Sequence, residues 1–252
     1  MTSHLNQYLL PLQLFEPVSI DQLNQKNLLS NRQDRKFVFA ATLLEQVLLD
    51  CLHEYYILDI TGIRHFNYKT EYYDTHELSM YHQHQRGKKN RCKIRSRIYK
   101  DTNVSFVEIK VKNNKDRTVK HRISGRYPAD AEKTIRALTE YSANELENVL
   151  TVQYKRITLV HQQNNEKVTI DTDLIFSAGE NNIPFEQLIF AEVKTNNAHD
   201  IRFCNIMKKV GVRSGSLSKY CLGIMSFHPN IKQNNFKLSL KKLLKTATNA
   251  NA

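Results

Sequence analysis

The 252-residue sequence has no tryptophan, 5 prolines, 7 glycines and 4 cysteines. So little proline and glycine excludes collagen-like repeats and leaves no Pro/Gly/Ser linker, and no internal repeat is visible. Cys51, Cys92, Cys204 and Cys221 are scattered. A disulfide framework or zinc knuckle needs closer, patterned cysteines, so reduced thiols and a cytoplasmic setting are expected. No apolar run approaches the roughly 18 residues that a membrane-spanning helix needs. Met1 to Leu14 has neither a basic leader nor a small-residue cleavage site, so no signal peptide is expected.

Negative charge is also scarce, and unevenly so. Lys and Arg number 37 against 25 Asp and Glu, a formal net charge of +12. Residues 86–126 hold 15 Lys/Arg and 3 Asp/Glu, while the other 211 residues carry 22 of each and balance. One short stretch therefore makes the protein basic, which implies a polyanionic partner. Apolar residues make up 40%, enough for a buried core.

Residues 1–31 read as a loosely attached Asn/Gln/Leu-rich extension, 32–225 as the folded domain and 226–252 as a basic tail. Helical spacing of Leu43, Leu44, Val47, Leu48 and Cys51 predicts a helix from Ala41 to Leu52. Another is expected after Pro128, carrying Ile135 and Leu138. A third should start at the Ser142/Glu145 capping box, and a fourth should run from an Asp200 N-cap to Gly211.

Between these helices the pattern has period two. Lys93, Arg95, Arg97 and Tyr99 alternate with Cys92, Ile94, Ser96 and Ile98. Similar alternation runs through 107–112, 119–123, 154–159, 167–171 and 191–194, giving each strand one apolar and one charged face. Lys93, Arg95, Arg97, Lys110, Lys112, Lys120, Arg122, Arg156, Lys167 and Lys194 fill the charged faces. The anions there are Glu108, Asp171, Asp173 and Glu192. A solvated sheet face is the bland explanation, but such faces usually mix signs, because like charges opposite one another destabilise pairing. Cations gathered inside a closed sheet would serve a ligand with several negative charges.

Other motifs fail. Gly211 to Lys219 has the wrong spacing for a phosphate-binding loop. His53-Glu54 lacks a second zinc-binding histidine, and His76, His82 and His84 lack partners that would complete a metal set. Residues 236–245 place Leu240, Leu243 and Leu244 among lysines. That is a solvated last helix, or a segment able to touch a membrane's inner face or a membrane-protein partner.

Read in order, nine segments resemble the polyphosphate polymerase domain of the vacuolar transporter chaperone family, a branch of the triphosphate tunnel metalloenzymes. They are Arg35-Lys36-Phe37, Tyr72-Tyr73-Asp74-Thr75, Lys93 to Tyr99, Phe106 to Lys110, Val119 to Arg122, Tyr154-Lys155-Arg156, Ile170 to Asp173, Glu192-Val193-Lys194 and Ser218-Lys219-Tyr220. The resemblance spans about Asp34 to Gly223. It implies an α+β fold, with a closed antiparallel eight-stranded barrel and flanking helices, and transfer of the ATP γ-phosphoryl group to a polyphosphate chain. Arg95, Arg97, Lys110, Arg156 and Lys219 would be catalytic. Lys36, Lys93, Lys120, Arg122, Tyr154, Lys167, Lys194 and Ser218 would bind substrate, and Glu192 would hold Mn2+ or Mg2+. Phosphoryl transfer asks mainly for positioning and charge stabilisation, which a cage of Arg and Lys supplies.

Two departures stand out. Hydrolytic relatives open with Glu-x-Glu-x-Lys where this chain has Arg32-x-Asp34-x-Lys36, which disfavours a two-metal triphosphatase. Lys167 replaces an arginine and loses its fork. The phosphate-sensing domain and membrane helices of eukaryotic members are not in the sequence. Triphosphate hydrolysis and a non-catalytic polyphosphate- or nucleotide-binding module are the alternatives. Nucleic acid is not an expected partner, since the basic segment shows no base-stacking aromatic platform.

Overall fold

In a computed structural model, residues 10–25, 33–114, 118–196, 201–215, 218–238 and 240–241 are described. Arg32 and Asp200 lie outside them, so neither the opening-motif reading nor the predicted N-cap is visible. The strands are β1 (Pro17–Val18), β2 (Gln33–Ala40), β3 (Tyr55–Leu58), β4 (Phe66–Asp74), β5 (Arg91–Tyr99) and β6 (Val104–Lys112). They continue with β7 (Thr118–Ser124), β8 (Glu147–His161), β9 (Glu166–Ala178), β10 (Asn181–Phe185) and β11 (Leu188–Thr195). The α-helices are α1 (Leu10–Leu14), α2 (Ile20–Gln25), α3 (Leu44–Cys51), α4 (Ser79–Gln85), α5 (Glu132–Leu138), α6 (Arg202–Lys209) and α7 (Lys219–Phe227).

All eleven strands join one sheet, whose main path runs β2-β11-β9-β8-β4-β5-β6-β7 with antiparallel pairing throughout. The expected closed eight-stranded barrel is corrected on two points. β1, β3 and β10 pair off the path, and no ladder joins β7 to β2 among the described residues. The second point has a local cause. Beside β2, Gly215 forms an antiparallel bridge with Lys36 and donates its N–H to the Lys36 carbonyl at 2.8 Å. That contact takes up part of the edge that barrel closure would use. The sheet still curls enough for Lys36 of β2 and Lys120 of β7 to line one cavity.

The outer face of β5 and β6 packs Cys92, Ile94, Val107 and Ile109 against Ile135 of α5. At the other end, Phe37, Ile157, Val168, Ile170 and Val193 pack against α3 and α6. Inside the curl lies α7, with Cys221, Leu222, Ile224 and Met225 against Leu150, Val152, Leu174, Phe176 and Leu188. Gly223 makes this approach fit, because a Cβ there would come within 2.4 Å of Leu150 and 2.9 Å of Phe176.

The described part of the N-terminal extension, residues 10–25, packs on the domain. Leu12 and Phe15 are buried, and Arg64 donates to the carbonyl oxygens of both. The predicted first helix opens as a 3-10 turn at Ala41–Leu43 before α3. The Ser142/Glu145 capping box is present, but it caps a 3-10 turn of three residues (Ala143–Glu145), because β8 starts at Glu147. The Glu166 carboxylate accepts from the Arg202 and Phe203 N–H groups at 2.9 Å, capping α6 from the neighbouring strand. No helix among the described residues is long and apolar enough to cross a membrane. Leu240 packs on the α7 cluster, whereas Leu243, Leu244 and Lys245 lie outside the described residues.

Candidate functional site: a basic cavity inside the curled sheet

Strand pleating places every second side chain inside the curl, so cations separated in sequence become neighbours in space. Lys93 of β5, Lys110 of β6 and Lys120 of β7 stand directly opposite one another in register. The next row reads Arg95, Glu108, Arg122. Like charges in one row are unfavourable alone, and the anion between the arginines compensates. Glu108 is fully buried. It accepts from Arg95 Nη2 at 2.6 Å and Lys120 Nζ at 2.6 Å, with Arg122 Nη2 at 3.3 Å. Burial opposes ionisation of Glu108, but Arg95, Arg97 and Lys120 hold its carboxyl far below the usual range.

Across the cavity, Asp171 of β9 plays the same part for Arg156 and Lys219. Arg156 grips it through two nitrogens, at 2.5 and 2.8 Å, and Lys219 Nζ lies 2.5 Å from Oδ2. Against the effect of burial, these two cations pull its pKa down to about 2. A third carboxylate, Glu192 of β11, pairs with Lys194 at 3.1 Å. Burial is again overcome, by Lys194, Lys36 and Lys110, and Glu192 is held ionised.

The cavity measures about 180 Å3. Of the predicted residues, it brings together Lys36, Lys93, Arg95, Arg97, Lys110, Lys120, Tyr154, Arg156, Glu192, Lys194, Ser218 and Lys219. Two are not in its wall. Lys167 shares a row with Lys194 but does not reach the lining, and Arg122 sits at the rim with its side chain 42% exposed. Sequence reading missed Tyr72, Phe190 and Tyr220 as lining residues, and it missed the double pairing of Asp171. Tyr72 and Tyr220 lay within the quoted motifs, but their inward direction needed the pleat and the path of α7.

Some of the charge is left over. Lys36, Lys93 and Lys110 have no carboxylate within 4 Å among the described residues, and the buried Nε of Arg97 has no hydrogen-bond partner there. Burial, with Lys36, Arg91 and Arg95 nearby, lowers Lys93 to about 8. Arg95, then burial and Lys194, lowers Lys110 to about 6. Beside them, Ser218 N-caps α7 by accepting from the Cys221 N–H, and it accepts from Lys93 Nζ at 3.2 Å. The positive end of the α7 dipole therefore faces the same space.

None of the described histidines lines this wall. His84 accepts from Arg91 at 3.0 Å and stacks on Phe236, while His76 is exposed beside Glu147. Among the described residues, no group of three or more His, Cys, Asp or Glu comes together to hold a metal ion. The protein offers Glu192 as one hard oxygen donor, and the remaining positions of a divalent ion would go to phosphates and water.

The fold is shared with solved proteins of distant sequence. A candidate adenylate cyclase from Bacillus halodurans is similar with a TM-score of 0.51 and 13% identity, covering 78% of this chain and 98% of its own. A candidate adenylyl cyclase from Hippeastrum with a dominant triphosphatase activity is similar with a TM-score of 0.50 and 10% identity, covering 77% and 95%. No curated protein matches the sequence. At the level of sequence, the VTC domain pattern matches residues 31–228, a span that contains the whole cavity wall. The chain belongs to the VTC domain family.

Proposed function

We propose that the cavity binds the triphosphate of ATP and passes its γ-phosphoryl group to the end of a polyphosphate chain. The observation that carries this reading is the surplus of cations in the wall. Among the described residues the Lys36 and Lys110 amines have neither a carboxylate nor a hydrogen-bond partner, Lys93 has only the Ser218 hydroxyl and the Arg97 Nε has none, and a chain of phosphates would supply the missing charge. Triphosphate binding also removes the like-charge repulsion that lowers Lys110.

The carboxylates favour transfer over hydrolysis. Water attacks a phosphoryl group faster when a positioned base accepts its proton. Glu108, Asp171 and Glu192 each hold cations and sit below their usual pKa, so none is a ready proton acceptor. A chain-terminal phosphate is already anionic and needs no such base. Arg95 and Arg156, fixed by Glu108 and Asp171, would orient equatorial phosphate oxygens, while Lys93 and Lys219 follow the charge as it moves to the leaving group. Glu192 together with phosphate oxygens would hold Mn2+ or Mg2+, which supplies further neutralisation of the phosphates.

The test is incubation of the protein with ATP and Mn2+, with products resolved by gel and free phosphate measured in parallel. Chain growth that is lost in Arg156→Gln is the expected outcome. Phosphate release without polymer would assign hydrolysis, and no turnover with intact triphosphate binding would leave a binding module.

A further inference from the structure

Lysines and arginines dominate the cavity wall, which suits phosphates better than a nucleoside. Beside that wall lies a place built for a flat π-system. There the guanidinium of Arg122 lies over the Phe106 ring with its carbon 4.3 Å from the centroid. Its edge is pinned by Glu108 at 3.3 Å and by the Tyr99 hydroxyl. The ring of Tyr99 meets Phe106 edge-on at 6.1 Å. Behind it, Tyr99 packs against Tyr68 at 4.9 Å, and Tyr68 stacks on Tyr154 at 5.3 Å and 12°.

Arg122 is thus held on one face and one edge while its side chain stays 42% exposed. An exposed arginine loses side-chain freedom when it stacks on a ligand, but one already fixed loses little. The shelf also adjoins the cavity: Arg122 and Lys120 share one oxygen of Glu108, and Lys120 lines the wall. A phosphate chain would have no use for three neighbouring rings, whereas a heteroaromatic base stacks well on a guanidinium plane.

We infer that Arg122, backed by Phe106 and Tyr99, is a nucleobase shelf that takes the base of a nucleoside triphosphate whose phosphates occupy the cavity. This rests on the triphosphate reading above. It assigns Arg122 to the nucleoside instead of the phosphates, and it gives the Tyr68/Tyr99/Phe106 cluster a purpose beyond packing.

Binding of ATP and of inorganic tripolyphosphate to the full chain, measured by calorimetry for wild type, Arg122→Lys and Phe106→Leu, separates the possibilities. Arg122→Lys keeps the charge and removes the plane, so ATP affinity should fall by about fivefold or more while tripolyphosphate affinity stays within about twofold. Phe106→Leu should act in the same direction, and thermal melts show that each variant is folded. Equal losses for both ligands, or no loss for ATP, would overturn the shelf. If wild type does not bind tripolyphosphate, the triphosphate reading fails and takes the shelf with it.

Discussion

Arg95, Arg156 and Lys219 line the same cavity as Lys36, Lys93 and Lys110, yet the two sets live under different electrostatics. The first set is anchored on Glu108 and Asp171, buried carboxylates whose oxygens are fully engaged. The second has no carboxylate within ion-pair distance among the described residues; Lys36 repels Lys93, and Arg95 and Lys194 repel Lys110. The paired side fixes geometry before any ligand arrives. The unpaired set leaves an unmet demand for negative charge, which the proposed triphosphate would meet. A site built only of pairs would gain little from a phosphate, and one built only of lone cations would not fold well around so much like charge.

The most severe way to break this contrast is to remove an anchor. Glu108→Gln leaves Arg95, Arg97, Lys120 and Arg122 gathered around a neutral amide. The expected loss of ligand-free stability is about 3–5 kcal/mol, read by denaturant unfolding. Added tripolyphosphate should restore much of it, because a phosphate can take the carboxylate's place. Unchanged stability would show that Glu108 is not the anchor.

Removing an unpaired cation should do the reverse. Lys110→Met removes a buried amine whose charged form Arg95 and burial oppose, so ligand-free stability should hold or rise by up to about 1 kcal/mol. Tripolyphosphate affinity should drop by about tenfold or more, in keeping with a charged hydrogen bond lost. A variant that loses stability and keeps affinity would reverse the assignment of the two sides.

The smallest effect is a dependence on pH. In the ligand-free protein Lys110 titrates at about 6, and Lys93 and Lys120 at about 8. Unfolding returns all three toward about 10.4. Between pH 6 and 9 the unfolded chain therefore binds more protons, and these groups make stability rise with pH. Bound phosphate raises the same pKa values, so binding at pH 8 should take up about one proton or more and weaken as pH rises. Calorimetry in two buffers of different ionisation heat measures the uptake. Proton release would contradict the lysine assignment.

Strand faces on β5, β6 and β7 were legible because inward residues are cationic and outward ones apolar, so period and polarity agree. β4 was less legible. Phe66, Tyr68 and Tyr72 do alternate with Asn67, Lys69 and Glu71, but tyrosine is amphipathic and every residue from Thr70 to Asp74 is buried, which blurs the contrast between faces. α7 hid likewise, since Lys219 to Phe227 is surrounded by the sheet and carries apolar residues all round. Barrel closure was misjudged because hydrogen bonding at a strand edge is a backbone property, and no side chain on β2 announces the Gly215 bridge. The pairing of Asp171 with Arg156 was within reach as an alternation of opposite charges. Its second partner, Lys219, is 48 residues away and needed the fold.

The position of α7 also orders events in time. Tyr220 donates to Asp74 across 146 residues of sequence, and the helix around it fills the inside of strands made much earlier. A nascent chain can form the hairpins of β4 to β7 as they emerge, but their concave side stays uncovered until residue 227 has been synthesised. Contacts of such long range slow the search for the native state, and an uncovered apolar interior invites wrong partners meanwhile. The last step of folding should therefore be the arrival of α7, and the same step delivers Ser218 and Lys219 to the cavity. A chain folded only partway, before that arrival, would lack this part of the cavity wall.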